Sequence, residues 1–267
     1  MELVENSFRL QDRTAIITGE ADSINQALGR KLTQLGTDVA FIHTHIERAQ
    51  KFCEQLMNNY EVNDKFGKAI AIKVDITKPA SFQDAISRVA ESFGGVDILI
   101  DNMTSYTLHT FKDAQSLEAM DHLLEANLKA PLYFTHAALK FLESRKRGRV
   151  IYLLPDLARM GLQKNSMLAA TRTSLVHFAK SLAREVQLNQ ITVNCVACGL
   201  SEEFVLAQKL DVKSLQAGVE HMQKTLPEAQ LMDSERIANL VAFLASPLGA
   251  GMTGQTIAVN QGLSMMA

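Results

Sequence analysis

The sequence predicts an α/β fold: a single domain on a doubly wound parallel sheet of about seven strands, with helices on both faces. Three observations predict it. Short apolar runs alternate with longer helical patterns along the whole chain. Several of those runs are continuous Val/Ile/Ala stretches, as expected where both faces of a strand are covered. No repeat, low-complexity tract or linker divides the 267 residues, so residues 1–267 read as one domain.

The strands are expected at 14–17, 38–42, 69–74, 96–100, 150–154, 191–196 and 256–259. Helical periodicity fills 27–35, 48–58, 81–93, 117–144, 167–188 and 234–245 between them. Gly36 suits a helix stop, and Asp233 or Ser234 an N-cap. One long stretch, 199–232, lacks clear periodicity. It follows the sixth strand, where such sheets carry lids over the carboxyl ends of their strands.

Composition narrows the function. Hydrophobic residues make up 47% and charged residues 21%, enough for a sizeable core. A net charge of -2 with interspersed signs gives no surface for nucleic acid or an anionic membrane. No apolar run approaches the ~18 residues of a membrane span. The opening Met1-Glu2-Leu3-Val4-Glu5 lacks the layout of a signal peptide. Three cysteines do not make a disulfide framework, so a reducing cytoplasm is the expected compartment.

Several motifs come in a definite order. "TGEADSIN", 18–25, follows the first strand and opens a helix. Val74-Asp75-Ile76-Thr77 and Ile100-Asp101-Asn102-Met103-Thr104 end the third and fourth strands. Then come Asn127 in "LLEANLKAPLYFTHAALKFL", the run "ITVNCVACGL", and a C-terminal stretch with Thr253-Gly254-Gln255. In order and interval these resemble the short-chain dehydrogenase/reductase superfamily over nearly the whole chain. Within it, the chain is similar to the 3-oxoacyl- and enoyl-acyl-carrier-protein reductases.

The resemblance implies a Rossmann-like domain and NADP(H) chemistry. It implies cofactor contacts at Gly19, Ser23, Ile24, Asp75, Asn102 and Thr253. It also implies a dimer or tetramer, because the long helices at 117–144 and 167–188 are those the family uses to pair subunits. "ATRTSLVHFAKSLAREV" carries an apolar stripe at Leu175, Phe178, Ala179, Leu182 and Val186, for core or partner.

The catalytic positions depart from the family. Its Asn-Ser-Tyr-Lys tetrad falls here on Asn127, Pro155, Leu168 and Arg172. Leucine has no proton to give, and proline has no hydroxyl to polarise a carbonyl. Arg172 keeps a positive charge that could hold ribose hydroxyls, but a guanidinium does not relay protons near neutral pH. Losing a positioned acid alone typically costs ~10²–10⁴ in rate. A longer Y-x6-K register fails too, because it falls on Asn165. Tyr106, after the fourth strand, is the one substitute in range.

The phosphate loop is also altered. Ser23 and Asn25 stand where the family's later glycines permit close approach of a pyrophosphate. Glu20 and Asp22 add negative charge. An anion ~6 Å from a phosphate costs roughly 0.7 kcal/mol in water and nearly 3 at an effective dielectric of ~20. The carboxylates either face the phosphate or turn outward. Asp22 could also cap the following helix and so fill the anion site itself.

"FIHTHIER", at the end of strand two, lacks the acid that selects NAD, so any cofactor would be NADP(H). His43 and His45 offer two metal ligands, but no Cys, Asp or further His completes a set, and no metal is expected. Cys195-x-x-Cys198 runs off a strand, not into a helix N-terminus, and reads as two reduced thiols.

The function expected is therefore a non-catalytic subunit of this family, with no cofactor or only weak NADP(H) binding. It would work as a homo-oligomer, or as a hetero-oligomer with an active paralogue. The alternative is an NADP(H)-dependent oxidoreductase with altered machinery, reducing a C=O or C=C bond of a small or acyl substrate.

Overall fold

The computed structural model describes residues 8, 10–63, 65–106, 110–112, 114–207, 215–224, 226–227 and 229–265. Seven strands lie among them: β1 (Thr14–Thr18), β2 (Asp38–His43), β3 (Ala69–Lys73), β4 (Ile98–Asp101), β5 (Arg149–Pro155), β6 (Thr192–Cys198) and β7 (Thr256–Val259). They form one parallel sheet in the order β3-β2-β1-β4-β5-β6-β7. Strands β1, β4, β5 and β6 are buried at every position, which is why they read as continuous apolar runs.

Helix α1 (Ser23–Gln34) follows β1, α2 (Glu47–Val62) follows β2, and α3 (Pro79–Phe93) follows β3. Two cores result, one on each face. Ile16, Ile42, Leu99 and Tyr152 point to the face packed with Phe82 of α3. Ile17, Phe41, Ile100 and Leu153 point to the other face, with Leu28 of α1 and Val241 of α9 (Ser234–Ala245). Alternation within β1 divides the two cores residue by residue.

The expected 117–144 helix is two helices, α4 (Ala114–Leu124) and α5 (Ala130–Arg145), joined by a π turn over Glu125–Lys129. The wider turn carries Asn127, whose side chain is spent on a neighbouring loop. Helix α6 (Ser166–Glu185) occupies the 167–188 pattern. Its stripe belongs to the core: Leu175, Ala179, Leu182 and Val186 are buried, and Phe178 packs edge-on against Tyr152.

The aperiodic stretch contains two short helices, α7 (Glu202–Ala207) and α8 (Leu215–Gln223). They form a third apolar cluster with Leu157, Leu168 and Leu263. Residues 208–214, 225 and 228 of this expected lid lie outside the described residues. No helix among the described residues is long and apolar enough to cross a membrane.

Candidate functional site

The strand order reverses between β1 and β4, and a crevice at the carboxyl ends is the consequence. There a cleft of about 670 Å³ opens, lined by Gly19, His43, Arg48, Asp75, Tyr106 and Glu203 among others. Of the residues expected at a cofactor, Gly19, Ile24, Asp75 and Asn102 line it. Ser23 stands beside it, bound to Glu203. Thr253 is elsewhere. Its hydroxyl accepts from the Val193 N–H at 3.0 Å, near the amino end of β6, whereas the cleft lies at carboxyl ends.

The loop between β1 and α1 is held from within. Gly19 has φ +100, and a Cβ there would sit 2.6 Å from the Asn102 carbonyl oxygen. Glycine is therefore required. Asp22 caps α1: one carboxylate oxygen accepts from the Asn25 N–H at 2.7 Å, and the other from the Asn102 amide at 3.1 Å. Asn25 is fully buried and does not use left-handed backbone angles. Its amide donates to the carbonyls of Thr18 (3.1 Å) and Glu20 (2.6 Å) and accepts from Asn102 (3.0 Å). The space of a third glycine is thus filled by a stitch.

A second acid comes from α7. Glu203 accepts from the backbone N–H and the hydroxyl of Ser23, each at 3.3 Å. Two carboxylates thus take N–H groups of the helix N-terminus, the donors an anionic ligand would use. Burial, then the neighbouring Glu203, pushes the Asp22 carboxyl up to about 7. Glu20 instead points to solvent, 3.9 Å from Arg48. Of the two loop acids, one turns in and one turns out.

Arg172 corrects an expectation. It is fully buried and does not line the cleft, so it is not placed to hold ribose hydroxyls. Its guanidinium bonds the fully buried Asp101 at 3.0 Å, and the carbonyls of Leu153 (2.5 Å), Met103 (2.9 Å) and Asn127 (3.4 Å). Thr18 donates its hydroxyl to the other Asp101 oxygen at 2.9 Å. An arginine facing a buried aspartate is drawn under the sheet's end, because neither charge has another route to solvation. Asn127 is spent likewise: its amide accepts from the Ser105 N–H at 2.6 Å and donates to the Ser105 carbonyl at 3.0 Å.

Leu168 is fully buried in the third cluster. Pro155 ends β5 opposite Cys198. Between Pro155, Cys198, Tyr106 and Phe204 only about 10 Å³ remains, near the volume of a single water's centre. The Tyr106 ring stands edge-on to Phe204 at 5.5 Å. Burial raises the Tyr106 phenol well above its ordinary value, against the pull of a hydrogen bond to Ser201. Burial also pushes the Cys195 and Cys198 thiols up to about 12, so neither is a thiolate near neutral pH.

At the open end, Asp75 accepts from the Thr77 hydroxyl at 2.6 Å and pairs with Lys78 at 3.0 Å, which hold its carboxyl down to about 2. Burial pulls the His43 imidazole below its usual value. The sequence reading missed a grouping here. Donor atoms of Glu20, His43 and His45 all lie within 4.8 Å of one another. It also missed Glu203, whose one signal was an acid at the start of α7, and Asp101, partner of Arg172.

This fold and crevice are those of a doubly wound α/β protein, and the comparisons make the class specific. The chain belongs to the short-chain dehydrogenase/reductase family: residues 19–264 match the enoyl-(acyl carrier protein) reductase family. It is 31% identical over 259 residues to the 3-oxoacyl-(acyl-carrier-protein) reductase of Vibrio cholerae, covering 97% of this chain and all of that one. The nodulation protein G of a Rhizobium species is 30% identical over 260 residues, covering 97% of this chain. Among solved structures, a dehydrogenase/reductase from Sinorhizobium meliloti superposes with a TM-score of 0.82 at 25% identity, covering 99% of this chain and all of that one. A short-chain dehydrogenase from Burkholderia cenocepacia in complex with NADP gives 0.81 at 28% identity, covering 96% of this chain and 99% of that one.

Proposed function

We propose that this chain is a non-catalytic member of its family, acting as a subunit of an oligomer. The observation that carries this reading is the closure of the catalytic half of the crevice. Beside Pro155 there is space of about 10 Å³, against about 670 Å³ at the other end. A carbonyl or enoyl group has no room there, and the two hydroxyls that line it, Tyr106 and Ser201, are hydrogen-bonded to each other. Leu168 carries no acid. The raised pKa of Tyr106 makes it a weaker acid than a free phenol, whereas a catalytic acid works best near the operating pH.

The helix N-terminus supports the same reading. A pyrophosphate arriving there meets Asp22 and Glu203 already on the N–H groups it needs. The relatives' names describe reductases, and one neighbouring structure holds NADP. For this chain the reading is no cofactor, or weak NADP(H). The partner is a second copy, giving a dimer or tetramer, or an active paralogue in a hetero-oligomer.

The test is to mix the purified chain with NADPH and short 3-oxoacyl and enoyl thioesters and follow cofactor oxidation. The reading predicts no rate above background, together with a dimer or tetramer by light scattering. Steady turnover would establish the alternative, an NADP(H)-dependent reductase with altered machinery.

A further inference from the structure

We propose that Glu20, His43 and His45 form a binding site for a divalent transition cation such as Zn²⁺ at the rim of the cleft. The three side chains come from two strand ends that the parallel pairing of β1 and β2 places side by side. Glu20 follows β1, and His43 ends β2, with His45 two residues on. One carboxylate oxygen and one ring nitrogen from each histidine lie within 4.8 Å of one another.

Two imidazoles and a carboxylate are the donor set of borderline divalent metals, and a three-ligand site keeps a position open for water or a ligand. Metal bonds of about 2.0–2.2 Å require these donors to close in from their present spread. The side chains can do so, because Glu20 and His45 are exposed. The pairing Glu20 would give up is loose: Arg48 stands 3.9 Å away, and both side chains are more than half exposed.

The backbone of His45 faces one histidine with both a donor and an acceptor. Nδ1 of His43 lies 3.2 Å from the His45 backbone nitrogen and 3.4 Å from the His45 carbonyl oxygen, so its role follows the tautomer. In the tautomer that donates to the carbonyl, Nε2 presents its lone pair. A ring N–H fixed on a backbone carbonyl is the usual support of a metal-bound histidine. All three residues line the same cleft as Asp75 and Thr77, so a bound cation would sit at its wall.

The experiment titrates tag-free full-length protein with Zn²⁺ by calorimetry at pH 7.5, and with Co²⁺ by visible absorption. One equivalent of each is expected, with cobalt bands of nitrogen–oxygen ligation. Glu20→Gln and His45→Ala, both at exposed positions and checked for unchanged melting, should each weaken binding at least about tenfold. Absence of uptake at millimolar metal would overturn the site. So would uptake that survives either substitution, which would place the metal elsewhere. The assay contains neither NADPH nor substrate, so its result is independent of the proposed lack of catalysis.

Discussion

The two ends of the crevice have different chemistry. The end over β2 and β3 is open, with Asp75, His43 and Arg48 lining a cleft of about 670 Å³. The end over β5 and β6 is shut, with Phe204, Tyr106 and Pro155 around about 10 Å³. Both stand on the same sheet, and strand register is continuous through them. The difference lies in a few side chains at strand ends, which can change without disturbing the buried strands beneath. A fold can therefore stay the same while the side chains at its rim differ.

The largest effect expected on this comparison comes from beneath the shut end. Arg172→Met leaves Asp101 charged and unpaired, and breaking a buried pair costs about 3–5 kcal/mol. Urea unfolding measures it. Combining Arg172→Met with Asp101→Asn should recover much of the loss. If the single variant were as stable as the wild type, the ion pair would not be what holds the rim together.

A smaller effect is expected from Phe204→Ala. Removing a buried phenylalanine costs about 3 kcal/mol, towards the low end for such sites because α7 can settle into the space. The variant enlarges the shut cavity. It should still show no reductase activity with enoyl thioesters, because Tyr106, which borders the new space, is a weaker acid than a free phenol. Activity appearing with this change alone would contradict the proposed lack of catalysis and assign the barrier to sterics.

The smallest effect is a pH dependence at the junction of the two ends. The Asp22 carboxyl is raised to about 7 from an ordinary 3.8. Between those values the folded protein holds a proton that the unfolded chain releases. Stability therefore falls as pH rises through the window, and the fall is complete above 7. Asp22→Asn keeps a capping side chain and removes the titration. Urea midpoints at pH 5 and pH 8 should differ less in the variant than in the wild type. Equal differences would show that Asp22 is not the group responsible.

Much of this was legible from residue order. Strand positions followed from apolar runs, because strands covered on both faces leave little choice of residue. A helix cap was one of the readings open for Asp22 from its place before an amphipathic pattern, and α1 begins at Ser23 behind it. The π turn at Asn127 was not legible, since a one-residue widening leaves helical periodicity almost unchanged. Nor was the fate of Arg172, because its partner lies 71 residues away at the end of β4. Glu203 and the grouping of Glu20 with two histidines escaped for the same reason. Each depends on which strand ends become neighbours, and a linear reading sees charges without distances. Thr253 was misplaced because its motif marks the end of the sheet opposite the cleft.

The most direct measurement is a calorimetric titration of NADPH into the purified chain at pH 8, where Asp22 is ionised. The account predicts no saturable heat up to millimolar cofactor, because Asp22 and Glu203 already hold the N–H groups a pyrophosphate needs. Micromolar binding would contradict it. The two acids would then yield to the cofactor, and the chain would have to be treated as a working dinucleotide-binding protein.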